Sequence, residues 1–162
     1  MTTAAKTRRS SRCVVGLISD THGLWRPQAR DALAGSDLIV HAGDVGSEAV
    51  LDALRALAPL AAVRGNNDHG AWAAALPETL VVAAGGIRIL VIHDLKELHQ
   101  EPGDCRVVVS GHTHRPAKAW RDGSLFINPG SAGPRRFRLP VSVGRLVVDG
   151  DAVDAALQEL EI

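Results

Sequence analysis

The chain has 162 residues, 46% hydrophobic and 22% charged, which is the composition of one globular domain with a full core and argues against disorder. Eighteen Lys and Arg balance eighteen Asp and Glu, so no overall field draws the protein toward nucleic acid or an anionic membrane. Cys13 and Cys105 lie far apart, which argues against a disulfide framework or a cysteine zinc site, and three Trp, two Phe and no Tyr make a poor base-stacking surface, whereas seven His exceed what packing needs.

Residues 1–12 are polar and basic and read as a flexible tail, followed by a single domain over 13–162. Arg8-Arg9 is not followed by an apolar segment long enough for a signal, and no run approaches the ~18 apolar residues of a membrane span, so a cytoplasmic protein is expected. Cys13–Ser19 reads as a buried strand. Arg26–Ala34 follows as a helix, with Pro27 suited to its first turn and Gly35 to its end. Asp37–His41 is a strand, Ser47 a cap for a helix over Glu48–Ala58, and Leu60–Arg64 a third strand. Glu78–Ala84 and Ile87–His93 flank Gly85-Gly86 as a hairpin. Arg106–Ser110 is a buried strand. Ala117–Arg121 and Ser124–Asn128 flank the turn Asp122-Gly123, and Val141–Val148 and Ala152–Leu160 flank Asp149-Gly150-Asp151. Strand–helix alternation in the first half favours parallel pairing, and hairpins dominate the second.

Five apolar strands run directly into metal-competent side chains: VVGLIS into Asp20 and His22, LIVHAG into Asp44, LAAVRG into Asn66, IRILVI into His93, and VVVSG into His112 and His114. Loops at the carboxyl ends of strands in open α/β sheets converge while the strands hold them rigid. Imidazole mixed with carboxylate suits Mn, Fe, Ni, Co or Zn better than Ca or Mg. The D-x-H and H-x-H pairs aim alternate side chains the same way. Seven ligands with one shared supply four to each of two ions and leave room for water and substrate.

DTH at 20–22, GD at 43–44, GNND at 65–68, strand-end His93, GHTH at 111–114 and NPGS at 128–131 resemble the calcineurin-like metallophosphoesterases, in particular the small single-domain phosphodiesterase branch that also contains the retromer scaffold subunit. The resemblance runs from Val14 to about Val148. It implies an α/β fold of two mixed β-sheets packed as a sandwich with helices on both outer faces. It implies two divalent ions, Mn or Ni favoured, with Asp20, His22 and His114 on the first, Asn66, His93 and His112 on the second, and Asp44 bridging. Asp44, Asn66 and His114 are assigned to catalysis as well as to metal binding. The implied reaction is hydrolysis of a small phosphodiester by a metal-bridging hydroxide, with a nucleotide open as substrate, nucleic acid disfavoured, and a homo-oligomer open. The alternative is a protein-interaction scaffold of the same fold with a vestigial metal site.

Two positions depart from the family pattern. Larger relatives place a proton-donating His where this chain has Asn67, and Asn delivers no proton. A diester with a good leaving group is therefore favoured over an alkyl monoester. The strand-end His is followed by Asp94 where Gly is usual. Asp68 is expected to orient a ligand, and His69 is a less favoured proton donor. His41 reads as buried or supporting and His99 as a surface residue. Trp25 and Arg26 border the substrate or pack. Arg135, Arg136 and Arg138 meet a phosphate or form a solvated loop, and the sequence leaves both open.

Overall fold

The computed structural model describes residues 12–162. The basic segment expected at the start lies outside the described residues except for Arg12, which already belongs to the first strand. In chain order the elements are β1 (Arg12–Ile18), α1 (Pro27–Leu33), β2 (Leu38–His41), α2 (Glu48–Arg55), β3 (Leu60–Ala62), α3 (Ala71–Ala74), β4 (Thr79–Ala84), β5 (Ile87–Ile92), a single 3-10 turn (Leu95–Glu97), β6 (Val107–Val109), β7 (Ala117–Arg121), β8 (Ser124–Asn128), β9 (Ser142–Asp149) and β10 (Ala152–Glu159). The hairpin reading of the C-terminal segment holds, with Ala152 opposite Asp149 and Glu159 opposite Ser142. The two short turns, α3 and Leu95–Glu97, were not anticipated. Ser47 precedes α2 in an extended conformation but makes no capping hydrogen bond through its side chain, and the helix stops at Arg55 rather than Ala58.

The strands form two five-stranded mixed sheets, ordered β10-β9-β1-β2-β3 and β4-β5-β6-β8-β7. β1, β2 and β3 are mutually parallel, as are β5, β6 and β8. The period of two does the packing: Ile87, Ile89 and Val91 of β5 point into the sandwich, while Leu90 and Ile92 point outward. Val15, Leu17, Val40, Leu146 and Val148 of the first sheet meet Val107, Val109, Leu125 and Ile127 of the second in one dry layer. Burying each such side chain contributes about 1.5–3 kcal/mol.

The outer face of the first sheet is covered by α1 and α2, through Ala29, Leu33, Val50, Leu51 and Leu54 against Ile18, Ile39 and Val143. The outer face of the second sheet carries the 3-10 turn, with Leu95 and Leu98 packed on Leu90, Ile92 and Val108. The two parallel sets matter most for function. β1, β2, β3, β5, β6 and β8 deliver their carboxyl ends, and the loops that follow them, to one end of the sandwich. Among the described residues no helix is long and apolar enough to cross a membrane.

Candidate metal centre

All seven expected ligands gather at that end. Asp20 and His22 follow β1, Asp44 follows β2, Asn66 follows β3, His93 follows β5, and His112 and His114 follow β6. Five of them, Asp20, His22, Asp44, His112 and His114, have positive φ between 47° and 73°. Left-handed backbone is uncommon outside Gly and costs on the order of 1–3 kcal/mol where it is held against preference. It lets each loop turn back sharply at the strand end, so the side chains face one another rather than solvent.

The nitrogens and oxygens form two groups, Asp20 with His22 and His114, and Asp20 with Asp44 and His93, so Asp20, expected on the first ion alone, is common to both. In the first, His22 Nε2 and His114 Nε2 stand 3.4 Å apart, and Asp20 Oδ1 lies 3.3 Å from His114 Nε2 and 3.8 Å from His22 Nε2. In the second, His93 Nε2 lies 3.0 Å from Asn66 Oδ1 and 3.3 Å from Asp44 Oδ2. The same Asp44 oxygen is 3.8 Å from His22 Nε2, so it stands between the groups. Two ligand atoms on one ion with bonds of about 2.0–2.2 Å are separated by roughly 3.0–3.5 Å, and most of these spacings match. Asp20 Oδ1 is buried and accepts no hydrogen bond from the described residues, although it faces two imidazoles. Such an oxygen is poorly satisfied by protein alone and is well satisfied by a cation.

His112 is the most exposed of the four imidazoles and the least integrated. Its Nε2 lies 3.8 Å from Asp94 Oδ2, and its ring stands edge-on to His93 with centroids 5.2 Å apart. Asp94 adopts extended backbone, and its other carboxylate oxygen accepts the Lys96 N–H of the 3-10 turn. The departure at Asp94 thus neither distorts the strand end nor removes His93 from the cluster.

Supporting contacts fix the loops. Asp68 is buried and accepts N–H bonds from Val45, Gly46 and Gly65, tying the Asp44 loop to the Asn66 loop. It therefore orients ligands through backbone rather than by touching one. Asn67 donates from its backbone N–H and its side-chain amide to Asp44, at 2.9 and 3.0 Å. Its amide is committed to holding the Asp44 carboxylate. His41, fully buried, accepts the Gly43 N–H at Nδ1, which leaves Nε2–H to donate to Thr21 Oγ1, and that hydroxyl donates to the Val45 carbonyl. A Cβ at Gly65 would collide with the Asp44 backbone and carboxylate, and one at Gly111 with Ser19 and Asp20.

Strand-end reading missed three supporting residues. Ser19 Oγ donates to Asp20 Oδ2 at 2.6 Å. Asn128 donates to the Gly111 carbonyl and to Thr113 Oγ1, bracing the loop that carries His112 and His114. Ser131 donates to the Asp20 carbonyl. The signal for Asn128 was present: SLFI is a sixth apolar strand that ends in a polar residue, like the other five. Arg26 is packed rather than free, with Nη2 donating to the Gly133 carbonyl, and Trp25 packs on the helix-covered face.

The cluster polarises its own titratable groups. Burial disfavours the Asp20 carboxylate, but His114, the Ser19 hydroxyl and His93 outweigh it and hold its pKa below the ordinary range. Burial likewise opposes the charge on Asp44, yet the His93 bond and two bonds from Asn67 hold it well below normal. Burial also works against charge on His93, but Asp44 and Asp20 carry it up to about 8. Burial drives His41 the other way, down to about 4, so it is neutral.

A scan against family models matches residues 14–151 to the calcineurin-like phosphoesterase superfamily domain. The chain belongs to that superfamily. A probable metallophosphoesterase of Methanothermobacter thermautotrophicus is 35% identical to it over 159 residues, spanning 89% of this chain and 91% of the relative. Among solved structures of the same fold are Vps29 of Entamoeba histolytica complexed with zinc and Yfce, a phosphoesterase of E. coli. The Vps29 structure has a TM-score of 0.70 at 23% identity and covers 90% of this chain and 98% of its own. The Yfce structure has a TM-score of 0.66 at 22% identity and covers 91% and 100%. The superfamily assignment agrees with the donor set, since phosphoester cleavage at a divalent centre needs a buried anionic cluster open on one side.

Proposed function

We propose that this metallophosphoesterase is a dinuclear phosphodiesterase, with Asp20, His22 and His114 holding one divalent ion, Asn66, His93 and His112 the other, and Asp44 shared between them. The observation that carries the reading is the pair of spaces flanking the cluster. A groove of about 850 Å³ opens beside Asn66, His93 and His112, and a pocket of about 240 Å³ opens beside His22 and His114. A diester has two ester groups to place around one phosphorus, and the cluster offers one space at each end. When bound, the two cations acidify water and neutralise charge on the phosphoryl oxygens.

The protein's part is positional. Asp44, held anionic by Asn67 and His93, is available as the shared ligand. Asp68 and His41 fix the loops so that little reorganisation is needed at the moment of reaction. Asn67 supplies no proton, so the leaving oxygen departs as an anion, which suits a phenolate or similarly stable group. The scaffold alternative would leave the buried Asp20 oxygen and four convergent imidazoles without a role.

Purified protein stripped of metal is expected to hydrolyse bis-p-nitrophenyl phosphate after Mn or Ni is added, and to lose that activity with a chelator. Turnover unaffected by the chelator would contradict the reading.

A further inference from the structure

The smaller pocket has a wall that the metal centre itself does not require. It is lined by His22, His114, Pro134, Arg135 and Arg136. The segment from Ser131 onward is seated on the ligand loops. Ser131 donates to the Asp20 carbonyl, Ala132 N–H to the Ser19 carbonyl, and Arg26 to the Gly133 carbonyl. A Cβ at Gly133 would strike the carbonyls of Asp20 and Thr21, so the root of the segment lies directly on the first ligand loop. From this root Arg135, Arg136, Phe137 and Arg138 project, all exposed.

Two features separate this lip from a solvated loop. Among the described residues, no carboxylate pairs with Arg135, Arg136 or Arg138, although ion pairs hold other arginines, such as Arg64 on Glu78 and Arg88 on Asp104. Second, Phe137 is 90% exposed and has φ +54°, at a turn closed by the Leu139 N–H on the Arg136 carbonyl. That turn position favours Gly, Asn or Asp, and a bulky ring there is an outlier. Of the seven non-glycine residues with positive φ among the described residues, five are candidate ligands and one is Asp122 of a hairpin turn; Phe137 is the seventh. Strained backbone of this kind clusters at functional sites.

We propose that this lip is a specificity subsite. On this reading the non-leaving half of the diester carries a second anionic group, held by Arg135 and Arg136, and a flat ring stacked on Phe137, which is the chemistry of a nucleotide bearing a further phosphate. The inference rests on the phosphodiesterase reading above. The pocket is smaller than the ~300–1,000 Å³ that holds a whole ligand, so it takes one end of the substrate while the other lies in the larger groove. Guanidinium groups suit this role because they pair with phosphate oxygens in a planar, bidentate manner.

The test uses the Mn-loaded full chain and p-nitrophenyl diesters that share one leaving group: a nucleoside monophosphate ester, the same ester with a second phosphate on the sugar, and the methyl ester. The bisphosphate ester is expected to be favoured by about tenfold in kcat/KM, and that ratio to fall toward one in the Arg135→Gln, Arg136→Gln double variant. Phe137→Asn, which suits the turn, is expected to cut the preference for nucleoside over methyl ester by about fivefold. Calorimetric binding of a nucleoside bisphosphate against the monophosphate reports on the same subsite without turnover. Equal rates on all three esters would overturn the subsite and leave the phosphodiesterase reading standing. No turnover of any ester, with arginine-dependent bisphosphate binding, would overturn the phosphodiesterase reading and support the subsite. A preference that persists in the double variant would remove Arg135 and Arg136 from it.

Discussion

The two ends of the sandwich reverse the chain by the same backbone device under opposite conditions. At the hairpin end, Gly85, Asp122, Gly123 and Gly150 take positive φ, and a Cβ at Gly123 or Gly150 would meet nothing within 4 Å. Local chemistry suffices there, since Gly and Asp accept left-handed backbone cheaply. At the ligand end, Asp and His adopt the same conformation while packed against one another. Asp and His tolerate that backbone better than most side chains, but local preference does not bring five of them together in one packed cluster. Asp68, Asn128, Ser131 and the His41 bond to Thr21 enforce it by linking loops distant in sequence. Turn residues build the first end, and tertiary contacts hold the second in a conformation it would not choose alone.

The sharpest way to break the contrast is at Asp44, the proposed shared ligand. Asp44→Asn keeps the shape but removes the anion that faces both His22 and His93. Turnover of an aryl phosphodiester is expected to fall at least about a hundredfold, beyond the 10–100-fold typical of residues that only support ligands. Circular dichroism should be unchanged. A variant within twofold of the parent would take Asp44 out of the site.

In the metal-free protein both acid and alkali are expected to weaken the ligand end. His93 is raised to about 8 from an ordinary 6.5, so its stabilisation is complete below pH 6.5 and is lost as pH rises through 8, roughly 2 kcal/mol in all. His41 is depressed to about 4, so its contribution is complete above pH 6.5 and is lost as pH falls toward 4, roughly 3 kcal/mol. Asp20 and Asp44 act only below the ordinary carboxylate range. Urea unfolding should therefore show maximal stability near pH 6.5, and His41→Gln should flatten the acid limb alone. An acid limb of unchanged slope in that variant would assign the loss elsewhere.

The glycines separate the ends directly. A methyl at Gly65 collides with the Asp44 loop, so Gly65→Ala is expected to cost about 1–3 kcal/mol and to lower turnover as well. Gly123 has φ +85° but open surroundings, so Gly123→Ala is expected to cost about 1 kcal/mol and to leave turnover alone. Equal effects on activity would mean that the ligand loops tolerate displacement.

The same contrast explains what could be read from sequence. The turn Asp122-Gly123 fixed its strands at Ala117–Arg121 and Ser124–Asn128, the bounds found in the structure, because turn chemistry is local. The metal-competent side chains at strand ends were legible because period and position place them. α3 and the 3-10 turn were not, since a single turn has no periodicity to detect. The neutrality of His41 and the strained backbone of Phe137 were also hidden. Each depends on what another loop brings near, and no local pattern records that.

The smallest expected effect concerns Asn67, at the boundary between holding a ligand and assisting the leaving group. Its side chain lies 3.0 Å from the Asp44 carboxylate and donates to it. In Asn67→His an imidazole nitrogen could keep that bond or turn toward the substrate, but its reach does not serve both. If the leaving oxygen lacks a proton donor in the parent, the variant should gain on esters with poor leaving groups relative to good ones. A rise of about three- to tenfold in the p-nitrophenyl monoester-to-diester rate ratio is expected, below the 10²–10⁴-fold of a well-placed general acid because the side chain is shared. An unchanged ratio, with both rates lower, would mean that position 67 serves only to hold Asp44, and that proton delivery is not what limits monoester cleavage.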